Sequence, residues 1–261
     1  MSNYNAPNAR TADYSEWCAQ EYFDTYYRET VLADERQVLA FELDALAEER
    51  SAFGHALEYG CGPTLHRAIA AARHAFRIDM ADRSPDNLRQ IRRWLQAGSR
   101  DTDWNRFTRF ILEYEDRSVE PGAIERREAH TRKVIRELRL SDARCRYPLG
   151  VDRVAFYDLL ISGFCLDAIS GDKRIWKACL GNVLAMLRSG GLVLMLALHR
   201  CRAYRVAHRL FPCADLTQDD LFASLLAHGS RRSSIEIELA ACPDNAVYGY
   251  SGILIARARK R

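Results

Sequence analysis

Two glycines and one aspartate stand where a ligand-binding loop needs them. A short apolar segment, residues 56–59, leads into Gly60 and Gly62, and Asp82 follows Gly60 by about 20 residues, at the end of a second apolar segment. Glycines let the backbone turn tightly and approach a ligand where a Cβ atom would clash. A carboxylate at this spacing can accept hydrogen bonds from both hydroxyls of a ribose. The pattern therefore predicts an adenosine-binding loop.

The same loop is a poor match to a dinucleotide site. Leu65 occupies the place of the third glycine of a dinucleotide fingerprint, and Pro63 removes an N–H from the start of the next helix, where a pyrophosphate would bind. A cofactor with an adenosine but no pyrophosphate fits better, and S-adenosylmethionine is such a cofactor. A structural turn in another kind of α/β protein would show the same residues, so the loop alone leaves that alternative open.

The segments around the loop alternate between strand and helix patterns. We predict strands at residues 56–59, 76–81, 107–113, 156–161, 192–198, 235–239 and 251–258. We predict helices at residues 63–74, from residue 85 behind the N-cap Ser84, and at residues 123–140, 175–187 and 217–228. The alternation predicts one α/β domain over residues 1–261, with a doubly wound, mostly parallel Rossmann-like sheet of about seven strands and helices on both faces. Residues 1–50, with their charges, aromatics and helically spaced leucines, would form an N-terminal helical lid.

Composition excludes several classes of protein. The chain has 261 residues and 38 basic against 35 acidic side chains, so its net charge of +3 carries no strong nucleic-acid footprint. The longest apolar run, residues 192–198, is far shorter than the about 20 residues of a membrane helix. Residues 1–7 lack the features of a signal peptide, which predicts a cytoplasmic protein. The 8 cysteines show neither a C-x-x-C pair nor zinc spacing, so we expect reduced thiols and no metal site.

Further blocks resemble one enzyme family in the same order and spacing. Residues 22–27 (Tyr-Phe-Asp-Thr-Tyr-Tyr) resemble the segment that opens the nicotinamide, phenylethanolamine and indolethylamine/thioether N- and S-methyltransferases. Residues 60–64 (Gly-Cys-Gly-Pro-Thr) resemble the Gly-Ser-Gly-Pro-Thr loop of that family. The other matching blocks are residues 82–88, 94–95, 103–104, 142 with 148–150, and 165–168. The chain is identified as a member of this S-adenosylmethionine-dependent class I family, and its arginine-rich composition suggests a bacterial one.

The resemblance implies a cofactor site assembled from the lid and the ends of the strands. The cofactor-binding residues that it implies are Tyr22, Tyr27, Gly60, Cys61, Gly62, Thr64, His66, Asp82, Arg83, Asn87, Asp142, Ala143, Gly163 and Phe164. Among them, Asp82 would bind the ribose diol and Asp142 the adenine amine. Family members often carry Thr in place of Gly163 and usually Tyr in place of His66, so we expect one polar contact with the cofactor to be missing at Gly163.

The implied reaction is transfer of a methyl group from S-adenosylmethionine to a nitrogen of a small amine or N-heteroaromatic molecule, by in-line displacement. Tyr22 and Tyr27 would position the reactants, with no dedicated catalytic base. S- or O-methylation of a small molecule is the alternative, and a nucleic-acid-binding or nucleic-acid-modifying protein, suggested by the many arginines, is the remote one. We expect a monomer whose partner is the small-molecule substrate, with no nucleic acid and no membrane.

The family also implies where the acceptor lies. The residues it points to are Tyr26, Ala197, His199, Cys201 and Tyr204. Family members that methylate nicotinamide or phenylethanolamine carry an acidic residue after the fifth strand, where this chain has Ala197, or Leu196 if the register slips. With Arg200, Arg202 and Arg205 nearby, we expect a neutral aromatic or carboxylate-bearing acceptor. In the alternative, these arginines point to solvent.

Overall fold

A seven-stranded sheet forms the centre of the protein in a computed structural model, which describes residues 13–97 and 103–261. The strands are β1 (Ala56–Tyr59), β2 (Ile78–Asp82), β3 (Ile135–Leu140), β4 (Tyr157–Gly163), β5 (Leu187–Leu198), β6 (Ala203–Val206), β7 (Arg209–Pro212), β8 (Glu236–Ala241) and β9 (Gly252–Arg259). The order in the sheet is β3-β2-β1-β4-β5-β9-β8, while β6 and β7 form a separate hairpin. Strands β1 to β5 pair in parallel, and β9 pairs antiparallel with β5 and β8. The chain winds outward from β1 in both directions, which confirms the predicted doubly wound sheet.

Helices cover both faces of the sheet. They are α1 (Ala19–Tyr26), α2 (Ala33–Ala47), α3 (His66–Ala71), α4 (Pro85–Ala97), α5 (Asn105–Tyr114), α6 (Pro121–Val134), α7 (Lys173–Leu184) and α8 (Gln218–Ala227). Leu159 and Ile161 of β4 pack in the core shared with α2 to α5, whereas Leu160 packs against α7 and α8. A strand buried on both faces is rich in apolar residues that point to either side, as Leu159, Leu160 and Ile161 do in β4. No helix within the described ranges is long and apolar enough to span a membrane.

Local signals in the sequence located most of these elements. Ser84 lies before α4, where its Oγ atom accepts a hydrogen bond from the backbone N–H of Asn87 at 3.4 Å, as an N-cap does. Thr217 begins α8 with a reciprocal capping box to Asp220. Residues 13–50 contain the predicted helical segment as α1 and α2. Residues 1–12, and with them the segment on which the signal-peptide argument depends, lie outside the described residues.

Two predicted elements are wrong. Residues 107–113 were expected to form a strand, but they belong to α5, where Phe107 and Ile111 are buried one turn apart and Arg109 between them is exposed. Residues 123–140 were expected to form one charged helix, but α6 ends at Val134 and β3 follows at once. Strand β3 lies at the sheet edge with partly exposed charged residues, so it lacks the apolar run of a central strand.

Candidate active site

A cavity of about 370 Å³ opens at the carboxyl ends of β1, β2 and β4, beneath the N-terminal helical segment. In a doubly wound sheet, this edge is where ligands bind. The lining residues include most of those predicted for the cofactor, namely Tyr22, Tyr27, Gly60, Cys61, Gly62, Thr64, Asp82, Arg83, Asn87, Asp142, Ala143, Gly163 and Phe164. The fold therefore brings together residues from five separate parts of the chain.

The glycine loop has a backbone that other residues would not readily adopt. Gly60 and Gly62 have φ angles of +70° and +58°, in the left-handed region. A Cβ atom on Gly60 would lie 1.9 Å from the Sγ atom of Cys165, so no larger residue fits there. The backbone N–H groups of Gly60 and Cys61 both donate to the carbonyl of Ala81, at 2.7 and 3.1 Å. These bonds hold the loop against the end of β2.

Asp82 connects the loop to α4. Its carboxylate accepts hydrogen bonds from the backbone N–H groups of Gly62 at 2.8 Å and Ser84 at 2.7 Å, and from the side-chain amide of Asn87 at 2.9 Å. Burial raises the pKa of Asp82, while these donors oppose the rise. The carboxylate is thus held in place on the cavity wall, as a ribose acceptor must be.

Asp142 lies at the other end of the cavity, beyond β3. Partial burial acts to raise the pKa of this carboxyl group, but hydrogen bonds from Arg144, together with the charges of Arg144 and Arg83, lower it overall. The Arg83 Nε atom is 3.6 Å from Asp142, and the Arg144 side chain also bonds to it. Asp142 therefore presents an ionised acceptor at the rim.

Aromatic residues of the N-terminal segment close the cavity from above. The hydroxyl of Tyr14 donates to the carbonyl of Ala168 at 2.6 Å, and the indole N–H of Trp17 donates to the side chain of Asn87 at 2.9 Å. Neither Tyr14 nor Trp17 was predicted. Their signal in the sequence was the unusual density of aromatic residues between positions 14 and 27.

Glu58 is the most informative residue that sequence reasoning missed. It is 3% exposed, it lines the cavity two residues before the glycine loop, and its Oε2 atom has no hydrogen-bond partner among the described residues. Burial raises the pKa of Glu58 to about 8. An acidic residue inside the otherwise apolar β1 was the available signal, because such a residue is costly unless a ligand uses it.

A second, smaller cavity of about 40 Å³ adjoins the first and shares Tyr22, Tyr27, Phe164 and Tyr204 with it. Its other lining residues are Tyr26, Leu32, Asp34, Glu35, Leu198 and Tyr250. Five tyrosines and two carboxylates face this space, and none of its described lining residues is cationic. Such walls suit a group that carries positive charge.

The two carboxylates of the second cavity are held differently. Asp34 accepts a hydrogen bond from the Tyr250 hydroxyl at 3.2 Å and a second from the side-chain amide of Asn245. Burial raises the pKa of Asp34. Burial acts in the same direction on Glu35, but Arg67 and His66 lower the pKa of Glu35 to about 2. Glu35 is therefore ionised at neutral pH, with its charge partly balanced by Arg67 behind it.

His66 lies outside both cavities, contrary to the prediction. Its ring packs against Tyr27, Trp104 and Phe107 at centroid distances of 5.1 to 5.5 Å, and its Nε2 atom is 2.9 Å from Glu35. Burial and the neighbouring arginine lower the pKa of His66 to about 4, so the ring is neutral. The ring lies in an aromatic cluster beneath the N-terminal helical segment, which no local pattern in the sequence indicated.

The predicted acceptor residues separate into two groups. Tyr26 and Tyr204 line the second cavity. Ala197 does not, because its side chain packs on the α7 and α8 side of the sheet. His199 and Cys201 also lie outside both cavities, since β5 has ended before them and they pack beside residues 249–252. The nearby Arg200 and Arg202 line a separate groove, together with Lys173, Asp215 and Thr217.

The sheet order, the glycine loop after β1 and the acid at the end of β2 define the class I S-adenosylmethionine-dependent methyltransferases. The chain belongs to the NNMT/PNMT/TEMT family, whose sequence profile matches residues 7–261. It is 23% identical to the nicotinamide N-methyltransferase of Sus scrofa over 69% of this chain and 67% of the relative. It is 25% identical to the indolethylamine N-methyltransferase of Mus musculus over 75% of both chains.

Solved structures show the same fold at low sequence identity. One is the 1,6-didemethyltoxoflavin-N1-methyltransferase of Burkholderia thailandensis, whose crystal structure contains 1,6-didemethyltoxoflavin and S-adenosylhomocysteine. Its TM-score is 0.54 at 15% identity, and the match covers 97% of this chain and 92% of that one. Together with the family assignment, this likeness makes the chain a class I methyltransferase.

Proposed function

We propose that this enzyme transfers the methyl group of S-adenosylmethionine to a nitrogen of a small amine or N-heteroaromatic molecule. The observation that carries the proposal is the small cavity of tyrosines and carboxylates that shares its walls with the larger one. The larger cavity would hold the cofactor, and the smaller one would receive the acceptor nitrogen.

The larger cavity fits the cofactor at three places. The loop at Gly60 and Gly62 leaves backbone exposed for the methionine end. Glu58 offers that end a buried carboxyl oxygen with no other partner among the described residues, which suits the cofactor's ammonium group. Asp82 and Asp142 offer acceptors for the ribose hydroxyls and the adenine amine.

When bound, S-adenosylmethionine supplies an electrophilic methyl group on a sulfonium centre. The protein must align the acceptor nitrogen with it and keep water out. Tyr22 and Tyr27, whose hydroxyls are 3.4 Å apart, lie where the two cavities meet and would orient the acceptor. Burial raises the pKa of both tyrosines, so they remain neutral hydrogen-bonding groups. We propose that residues 13–50 act as a lid over both cavities.

Charge development favours nitrogen over oxygen as the nucleophile. As the methyl group moves, positive charge passes to the acceptor atom, and tyrosine faces with the carboxylates of Asp34 and Glu35 stabilise it. A neutral amine or pyridine-type nitrogen needs no base in order to attack. An oxygen acceptor would end uncharged and would gain less from these walls. The groove with Arg200 and Arg202 lies apart, so it offers no support for a carboxylate-bearing acceptor.

The test is an acceptor panel with isotope-labelled S-adenosylmethionine. The panel contains small primary amines, pyridine-type heteroaromatics, their carboxylated analogues, thioethers and tRNA, and mass spectrometry locates the new methyl group. We expect turnover on amines or uncharged heteroaromatics. Label that appears only on sulfur, on oxygen or on tRNA would contradict the proposal.

Two aspartate variants sharpen this test. Asp34→Asn should lower kcat/KM for the preferred nitrogen acceptor about ten- to a hundredfold, because a charged acceptor is lost beside the developing cation. Asp24→Asn is the matched control, since Asp24 lies on α1 of the same segment but pairs with Arg28 at the surface. Equal effects of the two substitutions would mean that the small cavity is not the acceptor site.

A further inference from the structure

Arg67 is a buried cation on the wall of the larger cavity. It follows the glycine loop in α3, and it is 3% exposed. Among the described residues that line this cavity, only Arg67 and Arg83 are cationic. The Arg83 side chain is 58% exposed and lies beside Asp142, at the adenine end proposed above. The methionine end of the cavity thus has one buried positive group.

The guanidinium of Arg67 is held rigidly by its neighbours. Its Nε atom is 3.2 Å from Glu42 Oε1, its Nη2 atom is 2.9 Å from Glu35 Oε1, and its Nη1 atom contacts His66. Its Cζ atom lies 5.4 Å from the centre of the Phe164 ring. A guanidinium has five N–H donors, so these three contacts leave two for a ligand.

The absence of a side chain at Gly163 makes room for this arginine. A Cβ atom on Gly163 would lie 2.8 Å from the Nε atom and 3.0 Å from the Cζ atom of Arg67. The guanidinium therefore packs directly on the backbone at the carboxyl end of β4. His66 thus lies outside the cavity, whereas the next residue, Arg67, lines it. The guanidinium of Arg67 occupies the space that a side chain at position 163 would need.

We propose that Arg67 binds the carboxylate of the methionine portion of S-adenosylmethionine, opposite Glu58, which takes the ammonium group. This inference rests on the proposed function and assigns a ligand to a residue that the family resemblance does not point to. A guanidinium suits a carboxylate because its charge strengthens the hydrogen bond that a remaining N–H group donates. Glu35 is ionised and pairs with Arg67, while burial raises the pKa of Glu42 to about 7, so the ligand carboxylate would share the guanidinium mainly with Glu35.

The experiment compares two ligands that differ only in this carboxylate, S-adenosylmethionine and its decarboxylated form, by calorimetry on the full chain. The wild type should bind the carboxylated ligand about ten- to a hundredfold more tightly. In Arg67→Met that preference should fall to about twofold or less, because only the carboxylated ligand loses a partner.

Two further variants keep the test decisive. Because Arg67→Met leaves Glu35 and Glu42 without their partner, Gly163→Ala serves as a second probe that displaces the guanidinium without removing it. It should also reduce the preference for the carboxylated ligand. Arg127→Met is the control, since Arg127 is a buried, ion-paired arginine that lies outside the cavity, and its variant should keep the wild-type preference.

The possible outcomes separate this inference from the proposed function. A preference that survives in both Arg67→Met and Gly163→Ala overturns the role of Arg67 while the methyltransferase assignment stands. A wild type that binds neither ligand overturns the proposed function itself. Loss of the preference in Arg67→Met and Gly163→Ala, but not in Arg127→Met, supports the assignment.

Discussion

Replacing Glu58 with glutamine should stabilise the ligand-free protein at alkaline pH and, at the same time, weaken its binding of S-adenosylmethionine. The two effects have opposite signs because Glu58 is a buried carboxyl group without a protein partner for its Oε2 atom among the described residues. In the free protein its ionisation is costly, whereas beside a ligand ammonium group the same ionisation is favourable.

The effect on stability has a defined pH window. Burial raises the pKa of Glu58 from its ordinary value of 4.5 to about 8. The folded state therefore holds this proton more tightly than the unfolded state does. Its contribution to the free energy of unfolding is fully present below pH 4.5 and is lost as the pH rises to about 8. A pKa rise of this size corresponds to a decrease of at most about 5 kcal/mol in the free energy of unfolding as the pH rises. Glu58→Gln should not show this decrease.

The effect on binding follows from the same carboxyl group. An ammonium group beside Glu58 lowers its pKa, so binding at pH 7 should release a proton from the wild type and less from Glu58→Gln. Loss of one charge-assisted hydrogen bond should weaken binding about ten- to a hundredfold. Calorimetry in buffers of different ionisation enthalpy measures both the affinity and the proton release.

Denaturant titrations between pH 5 and pH 8.5 measure the free energy of unfolding of the wild type and the variant. Glu128→Gln is the control, because Glu128 is also a buried acid with a raised pKa but lies on α6, away from the cavities. It should leave affinity and proton release unchanged. If Glu58→Gln bound the cofactor as tightly as the wild type and released the same number of protons, Glu58 would not be the ammonium partner.

Three other substitutions or deletions test separate parts of the structure. Asp82→Ala should weaken S-adenosylhomocysteine binding about ten- to a hundredfold in calorimetry, and an unchanged affinity would remove Asp82 from the ribose site. Gly60→Ala should lower the melting temperature far more than Gly62→Ala. A Cβ atom on Gly60 would lie 1.9 Å from a sulfur atom, while one on Gly62 would have no neighbour nearer than 3.8 Å. Equal decreases in melting temperature would contradict this account of the loop. Deletion of residues 1–30 should leave a core that melts cooperatively but transfers no methyl group, whereas full turnover would refute the lid.

The position of the glycine loop and of Asp82 could be predicted because it depends on local sequence. The glycine loop follows β1 directly and Asp82 ends β2, and parallel strands bring their carboxyl ends to one edge. Gly60, Gly62 and Asp82 therefore meet whatever the precise packing of the helices. The same reasoning failed at residues 107–113, which form part of an amphipathic helix, and at residues 135–140, which form an exposed edge strand. In both segments the secondary structure depends on the neighbouring elements that the segment contacts.

The acceptor half could not be predicted in this way, since it depends on long-range contacts. Asp34 of α2 meets Tyr250 and Asn245 although more than 200 residues separate them in the chain. No local period or spacing carries such a contact. Of the two residues predicted for the acidic position of the family, Ala197 packs against α7 and α8, whereas Leu196 packs on the other face, beside Tyr204. Both carboxylates of the proposed acceptor pocket lie on α2, so we expect a substitution in the N-terminal segment to change acceptor choice more than one after β5.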